Sequence, residues 1–182
     1  MFASRSFLGM ALGLMLGVPA GACAQGSGAA PPDPAWLKWN STTHTVTFQL
    51  IAGIPGKAKS PFNFNGYTDG ELTLEVPLNS TVVLNFRNDD GTPHSAEVIA
   101  EKFPLPNMAP DQPAIPRAYT KSVVEGLPQG GTDVVRFTAA PAGNYLIFCG
   151  VPGHGLSGMW IRFKVSADAT APSMKEGKGG RG

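Results

Sequence analysis

The chain has 182 residues with 14 Lys+Arg against 13 Asp+Glu, and only 15% of its residues are charged. Its length excludes a large multidomain enzyme, and the thin spread of charge, without a basic cluster, gives nucleic acid no footing. Gly 23 and Pro 17 are high for this length, and short Val/Phe/Thr runs between turn residues stand where helix-forming stretches would be, which indicates an all-β protein.

Arg5 precedes an apolar run from Phe7 to Val18, followed by the small residues Ala20-Gly-Ala-Cys-Ala24. This pattern predicts a secretory signal peptide over 1–24, cleaved after Ala24, and hence a periplasmic or otherwise extracytoplasmic protein. Lipid attachment at Cys23 and an uncleaved anchor are the alternatives, although the run is short of the ~20 residues of a comfortable span. Without residues 1–24 the chain carries 13 basic and 13 acidic side chains and a single cysteine, Cys149. A lone cysteine in an oxidising compartment pairs between chains, sits inert in a core, reacts, or holds a metal.

Residues 25–36 are Gly/Ala/Pro-rich and are expected to be flexible, and 167–182 is expected to be a disordered tail. The domain is placed at 37–166. Within it, residues 45–50, 72–76, 82–87 and 161–165 put apolar side chains at every second position, as half-buried strands do. Further strands are expected at 94–100, 134–138 and 144–149, with breaks at 88–93 and 140–143. Seven or eight strands in this span fit a Greek-key β-sandwich. Phe103 to Pro116 carries prolines at 104, 106, 110, 113 and 116 and is expected to be a surface excursion. Ala118 to Glu125 reads equally as a short helix or an edge segment.

The chemistry is concentrated in 145–160, where Cys149, His154 and Met159 follow one another at spacings of five. Five residues turn an α-helix through about 500°, so a helix would splay the three side chains, whereas a loop rich in Gly and Pro can bring them together. Thiolate, imidazole and thioether form a soft set that favours copper, and one more imidazole would complete a His₂Cys site with a weak axial Met. His94, after the turn Asp90-Gly-Thr-Pro93, is placed to supply it. Both ligand types must shed protons to bind, so occupancy is expected to fall in acid unless the site is rigid.

Asn88-Asp-Asp-Gly-Thr-Pro-His94-Ser95, followed by Cys149-x4-His154-x4-Met159, resembles the cupredoxin (type 1 blue copper) family. Phe62-Asn-Phe-Asn-Gly66, the Pro-His-Ser order and Cys-Gly-Val-Pro-Gly-His…Gly-Met-Trp are most similar to the sulfocyanin branch, with the rusticyanins nearby. The resemblance covers about 45–165. It implies a cupredoxin-like sandwich holding one copper ion (Cu+/Cu2+), with His94, Cys149 and His154 equatorial and Met159 axial, that carries single electrons. Ser95 beside the first ligand stands where many cupredoxins have Asn, and the resemblance points to a high potential. Asn88 is expected to brace the loop, and Phe148 and Trp160 to pack beneath the site. Phe62, Phe64 and Asn65 are read as structural, with shaping of the copper pocket as the alternative. Met108 is read as a surface or packing residue, with covering the site as the alternative.

The expected function is electron transfer between redox proteins such as a cytochrome and a terminal oxidase. The conducting edge by this resemblance is His154, ringed by Pro152, Gly153 and Leu156. Near-neutral charge predicts docking of a monomer through a small apolar patch, with only transient membrane contact unless the N-terminus is anchored. Copper delivery or storage is the alternative. A copper enzyme is disfavoured because only His44 remains once two histidines are assigned, and a thiol enzyme because no third residue orients His154.

Overall fold

The structure is a computed structural model, and it describes residues 1–2, 31–54 and 60–180. The expected signal peptide lies almost wholly outside the described residues. No helix among them is long and apolar enough to cross a membrane.

Among the described residues nine strands form two sheets: β1 Leu37–Asn40, β2 Thr45–Ala52, β3 Leu72–Pro77, β4 Thr81–Asn88, β5 Glu97–Ala100, β6 Thr132–Thr138, β7 Gly143–Phe148, β8 Trp160–Ser166 and β9 Ser173–Glu176. One sheet runs β1-β2-β4-β6 and the other β5-β7-β8-β3-β9. The pairs β2–β4 and β3–β8 are parallel and all others antiparallel. Successive strands from β2 to β7 alternate between the two sheets, so each connection crosses the sandwich and closes one of its ends.

The alternating strands do what their pattern dictates. In β2 the even-numbered residues Val46, Phe48, Leu50 and Ala52 are fully buried, facing Leu74 and Val76 of β3 and Phe163 and Val165 of β8 within one core. Phe137 of β6 meets Phe163 edge-on at 5.9 Å, joining the two sheets. Each buried Val, Leu or Phe here contributes roughly 1.5–3 kcal/mol.

The structure corrects three expectations. Trp36, assigned to the flexible segment, ends a 3₁₀ turn over Pro34–Trp36 and is buried in the core. Ser173–Glu176, assigned to the disordered tail, pairs antiparallel with β3 as an edge strand. Low apolar content conceals an edge strand because its stability comes from the ladder rather than from buried side chains. The proline-rich excursion is not confined to the surface: Leu105 and Ile115 are buried, Ile115 in the central core. Residues 118–120 run along β5 as an edge segment, with the Val98 amide donating to the Ala118 carbonyl and the Thr120 amide to the Ala96 carbonyl.

Candidate metal centre

Three stretches of chain meet at one end of the sandwich: the loop between β4 and β5, the end of β7, and the turn-rich loop between β7 and β8. Asn88, fully buried at the end of β4, organises the first loop. Its Nδ2 donates to the carbonyls of Thr92 (2.8 Å) and Leu127 (2.9 Å), while its Oδ1 accepts from the Asp90 amide. His94 follows, locked by paired backbone hydrogen bonds with Leu127. Gly126 makes that approach possible: it has φ +77°, and a Cβ there would lie 2.9 Å from the His94 nitrogen.

Alternation along β7 and β8 sorts the other side chains. Cys149 and Met159 turn into the central core, whereas Phe148 and Trp160, each one residue away, lie in a second cluster with Ile99, Leu105 and Leu146. The Cys149 amide donates to the Met159 carbonyl (3.0 Å) and the Met159 amide to the His154 carbonyl (3.1 Å), so the loop closes on itself. Phe148 supports the loop from the opposite face: a methyl on Gly155 would interpenetrate its ring. Pro152 and Leu156 are exposed around His154, with Gly153 half-buried between them.

His94, Cys149 and His154 are all buried, and their ligand atoms form a triangle. Nδ1 to Nδ1 is 3.2 Å, Cys149 Sγ to His154 Nδ1 is 3.5 Å and Sγ to His94 Nδ1 is 4.0 Å. The point equidistant from all three lies about 2.1 Å from each, close to the bond lengths of a metal ion to imidazole nitrogen and thiolate sulfur.

The surroundings prepare these atoms. Asp90 Oδ2 lies 3.0 Å from His94 Nε2, and a carboxylate only accepts, so the hydrogen sits on Nε2 and the Nδ1 lone pair faces the triangle. Partial burial works against the charge of Asp90, but hydrogen bonds from His94, Gly91 and Thr92 outweigh it and lower its pKa. Burial lowers His94 despite Asp90, and burial together with the facing His94 pushes His154 down to about 4. Both imidazoles are therefore neutral at ordinary pH. Burial pushes the Cys149 thiol up against hydrogen bonds involving Ser95 and Val151.

Ser95 acts as a strut. Its hydroxyl donates to the Val123 carbonyl (2.6 Å) and accepts from the Gly150 amide (3.0 Å), with its oxygen 3.9 Å from Cys149 Sγ. Phe62 closes the other side, its ring centroid 4.6 Å from that of His154 and 6.3 Å from that of His94. Phe64 and Asn65 are fully buried, and Asn65 ties its segment to β2 by accepting from the Ile51 amide and donating to the Gln49 carbonyl. Asp90 was not distinguished by sequence from other turn aspartates; only its position four residues before His94 in a tight turn signals the contact.

Known proteins are similar to this chain over most of its length. The sulfocyanin (SoxE) domain family matches residues 32–175. A sulfocyanin of Sulfolobus acidocaldarius is 30% identical over 139 residues, covering 72% of this chain and 69% of the relative. A rusticyanin of Acidithiobacillus ferrooxidans is 30% identical over 126 residues, covering 68% of this chain and 63% of the relative, just under two thirds of its length. Among solved structures, reduced rusticyanin superposes with a TM-score of 0.50 at 26% identity, covering 72% of this chain and 91% of that one.

Proposed function

The chain belongs to the sulfocyanin family, and on that premise we propose that it is a mononuclear type 1 copper protein that carries single electrons between redox proteins. The observation that carries this reading is the buried His94–Cys149–His154 triangle, with Asp90 on the outer nitrogen of His94. We assign His94, Cys149 and His154, together with Met159, as the residues that would hold a copper ion, which would supply a one-electron Cu+/Cu2+ couple.

The chain's own residues do the rest. Neutral imidazoles offer lone pairs without first losing a proton, and the depressed pKa of His154 means that protons compete for it only below about pH 4. The raised thiol keeps its proton until a cation replaces it. Backbone hydrogen bonds at His94, Cys149 and Met159 hold the ligands in place, so little needs to move when charge changes. The sulfur sits in a dry core, which favours a high potential by withholding stabilisation from the more highly charged oxidised state, while Ser95 gives its hydrogen to the Val123 carbonyl rather than to the sulfur. His154, 9% exposed and flanked by Pro152, Gly153 and Leu156, is the edge at which a cytochrome or oxidase would dock. Export through the N-terminal segment is part of the same proposal.

The test is the visible spectrum of the chain with Cu(II), before and after ascorbate, beside Cys149→Ala. An intense thiolate-to-copper band, bleached by ascorbate and missing from the variant, supports the proposal; its absence in the native chain overturns it.

A further inference from the structure

Met159 is held from both sides in the chain. The Asp69 amide donates to the Gly158 carbonyl (2.8 Å) and the Gly70 amide to the Trp160 carbonyl (3.0 Å), so each neighbour of Met159 is bonded to the turn that leads into β3. The packing is as close as the hydrogen bonds. Gly70 has φ +74°, and a Cβ there would lie 2.3 Å from the Trp160 ring; one on Gly158, at φ +99°, would lie 2.7 Å from Asp69 Oδ2.

The other side of the same turn is gripped by the C-terminal segment. Beyond β9, the Gly177 amide donates to the Glu71 carbonyl (2.8 Å) and the Gly180 amide to the Asp69 carbonyl (2.9 Å). Arg162, in β8, takes the carbonyl between them. Its guanidinium donates from Nη1 to the Gly70 carbonyl and from Nη2 to the Gly180 carbonyl (2.8 Å), while Nε lies 3.4 Å from the Glu101 carboxylate and Cζ 5.6 Å from the Trp160 ring centroid. All three carbonyls of 69–71 are thus occupied, two by the tail and one by the arginine that also holds the tail. A planar fork with several donors can bond two carbonyls while stacked on a ring; a single ammonium is poorly shaped for it. The sulfocyanin match ends at residue 175, so the tail's grip on 69–71 lies beyond the matched segment.

We propose that the tail at 177–180, clamped by Arg162, positions Met159: it presses the 69–71 turn against Gly158 and Trp160 and so fixes where the Met159 thioether lies. For its consequence at the metal this rests on the assignment of Met159 to the copper site, but the coupling itself belongs to the chain without metal. A thioether is a weak donor, so its place beside a metal is set by the fold more than by the bond, and a turn free to move alters the metal's surroundings.

The test compares the full chain with a chain ending at Glu176, with Arg162→Lys and with Lys175→Ala. All of them keep β9 and its ladder to β3. Lys175→Ala removes the strand's ion pair with Glu75 but leaves the grip on 69–71. The proteins are studied copper-free, labelled with ¹⁵N and with ¹³C in the Met methyl groups. In the chain ending at Glu176 the Met159 methyl and the 158–160 amides should shift by NMR. The Asp69 and Gly70 amides should exchange with solvent about tenfold faster, since the hydrogen bonds behind them are gone. Arg162→Lys should give the same pattern to a smaller extent and Lys175→Ala should not, while the Met108 methyl stays in place throughout. With copper added, the shortened chain should keep a thiolate-to-copper band, because His94, Cys149 and His154 are untouched, but at an altered position or shape. An unmoved Met159 methyl, an unchanged band, or equal shifts at Met108 or in Lys175→Ala would each overturn the proposal. No band in any of the proteins, the native chain included, would refute the copper assignment instead, and the methyl shift would then decide the coupling.

Discussion

Glu97 makes the pH dependence of stability calculable. Its carboxyl has a pKa of about 7 in the folded chain against an ordinary value of 4.5, with burial as the cause. Below about pH 4.5 the group is protonated in folded and unfolded chains alike and exacts no penalty. Between 4.5 and 7 the unfolded chain releases this proton while the folded chain retains it, so rising pH favours unfolding; above 7 the loss is complete. At 1.36 kcal/mol per pKa unit the full effect is roughly 3 kcal/mol, a large fraction of the 5–15 kcal/mol that holds an ordinary domain. Glu97→Gln removes the titration and keeps the shape. Urea denaturation of both proteins from pH 4 to pH 8, in the same copper state and followed by tryptophan fluorescence, cancels every other titrating group in the difference. The native chain should lose roughly 3 kcal/mol relative to Glu97→Gln across that range. A difference flat to within about 0.5 kcal/mol would refute the reasoning, and so would one that grows in acid.

Asp90→Asn leaves the His94 contact in reach but removes its charge, and copper affinity measured by chelator competition should fall by about 10- to 100-fold. In Gly155→Ala the new methyl has no room beside the Phe148 ring; a loss of about 1–3 kcal/mol in chemical denaturation is expected, with the copper band shifted as the loop moves. Phe62→Ala uncovers the edges of both histidines, and the rate of copper loss to a chelator should rise while the spectrum keeps its form.

Much of this protein is legible in the chain because strands and ligand loops are written locally. Period-two alternation in Thr45–Ala52 or Trp160–Ser166 is set by each strand's own geometry, and the same alternation separates Cys149 from Phe148 and Met159 from Trp160. The Cys149-x4-His154-x4-Met159 spacing with its Gly and Pro residues likewise announces a converging loop. His94 was identifiable only with the help of its Pro-His-Ser context, since nothing local says that it meets a loop 55 residues away.

What the chain left open depended on partners distant in sequence. Ser173–Glu176 is a strand because β3 offers it a ladder, and Ile115 is buried because the excursion folds back over β5. Phe62 reaches the histidines, Asp90 orders one of them, and Glu97 is buried with one carboxylate oxygen unpartnered. Sequence alone determined the all-β periodicity and the converging ligand set, since both are properties of short segments. Tertiary structure alone decided which carboxylates are buried and which are paired, because desolvation and charge pairing act through space between segments that carry no local mark of each other.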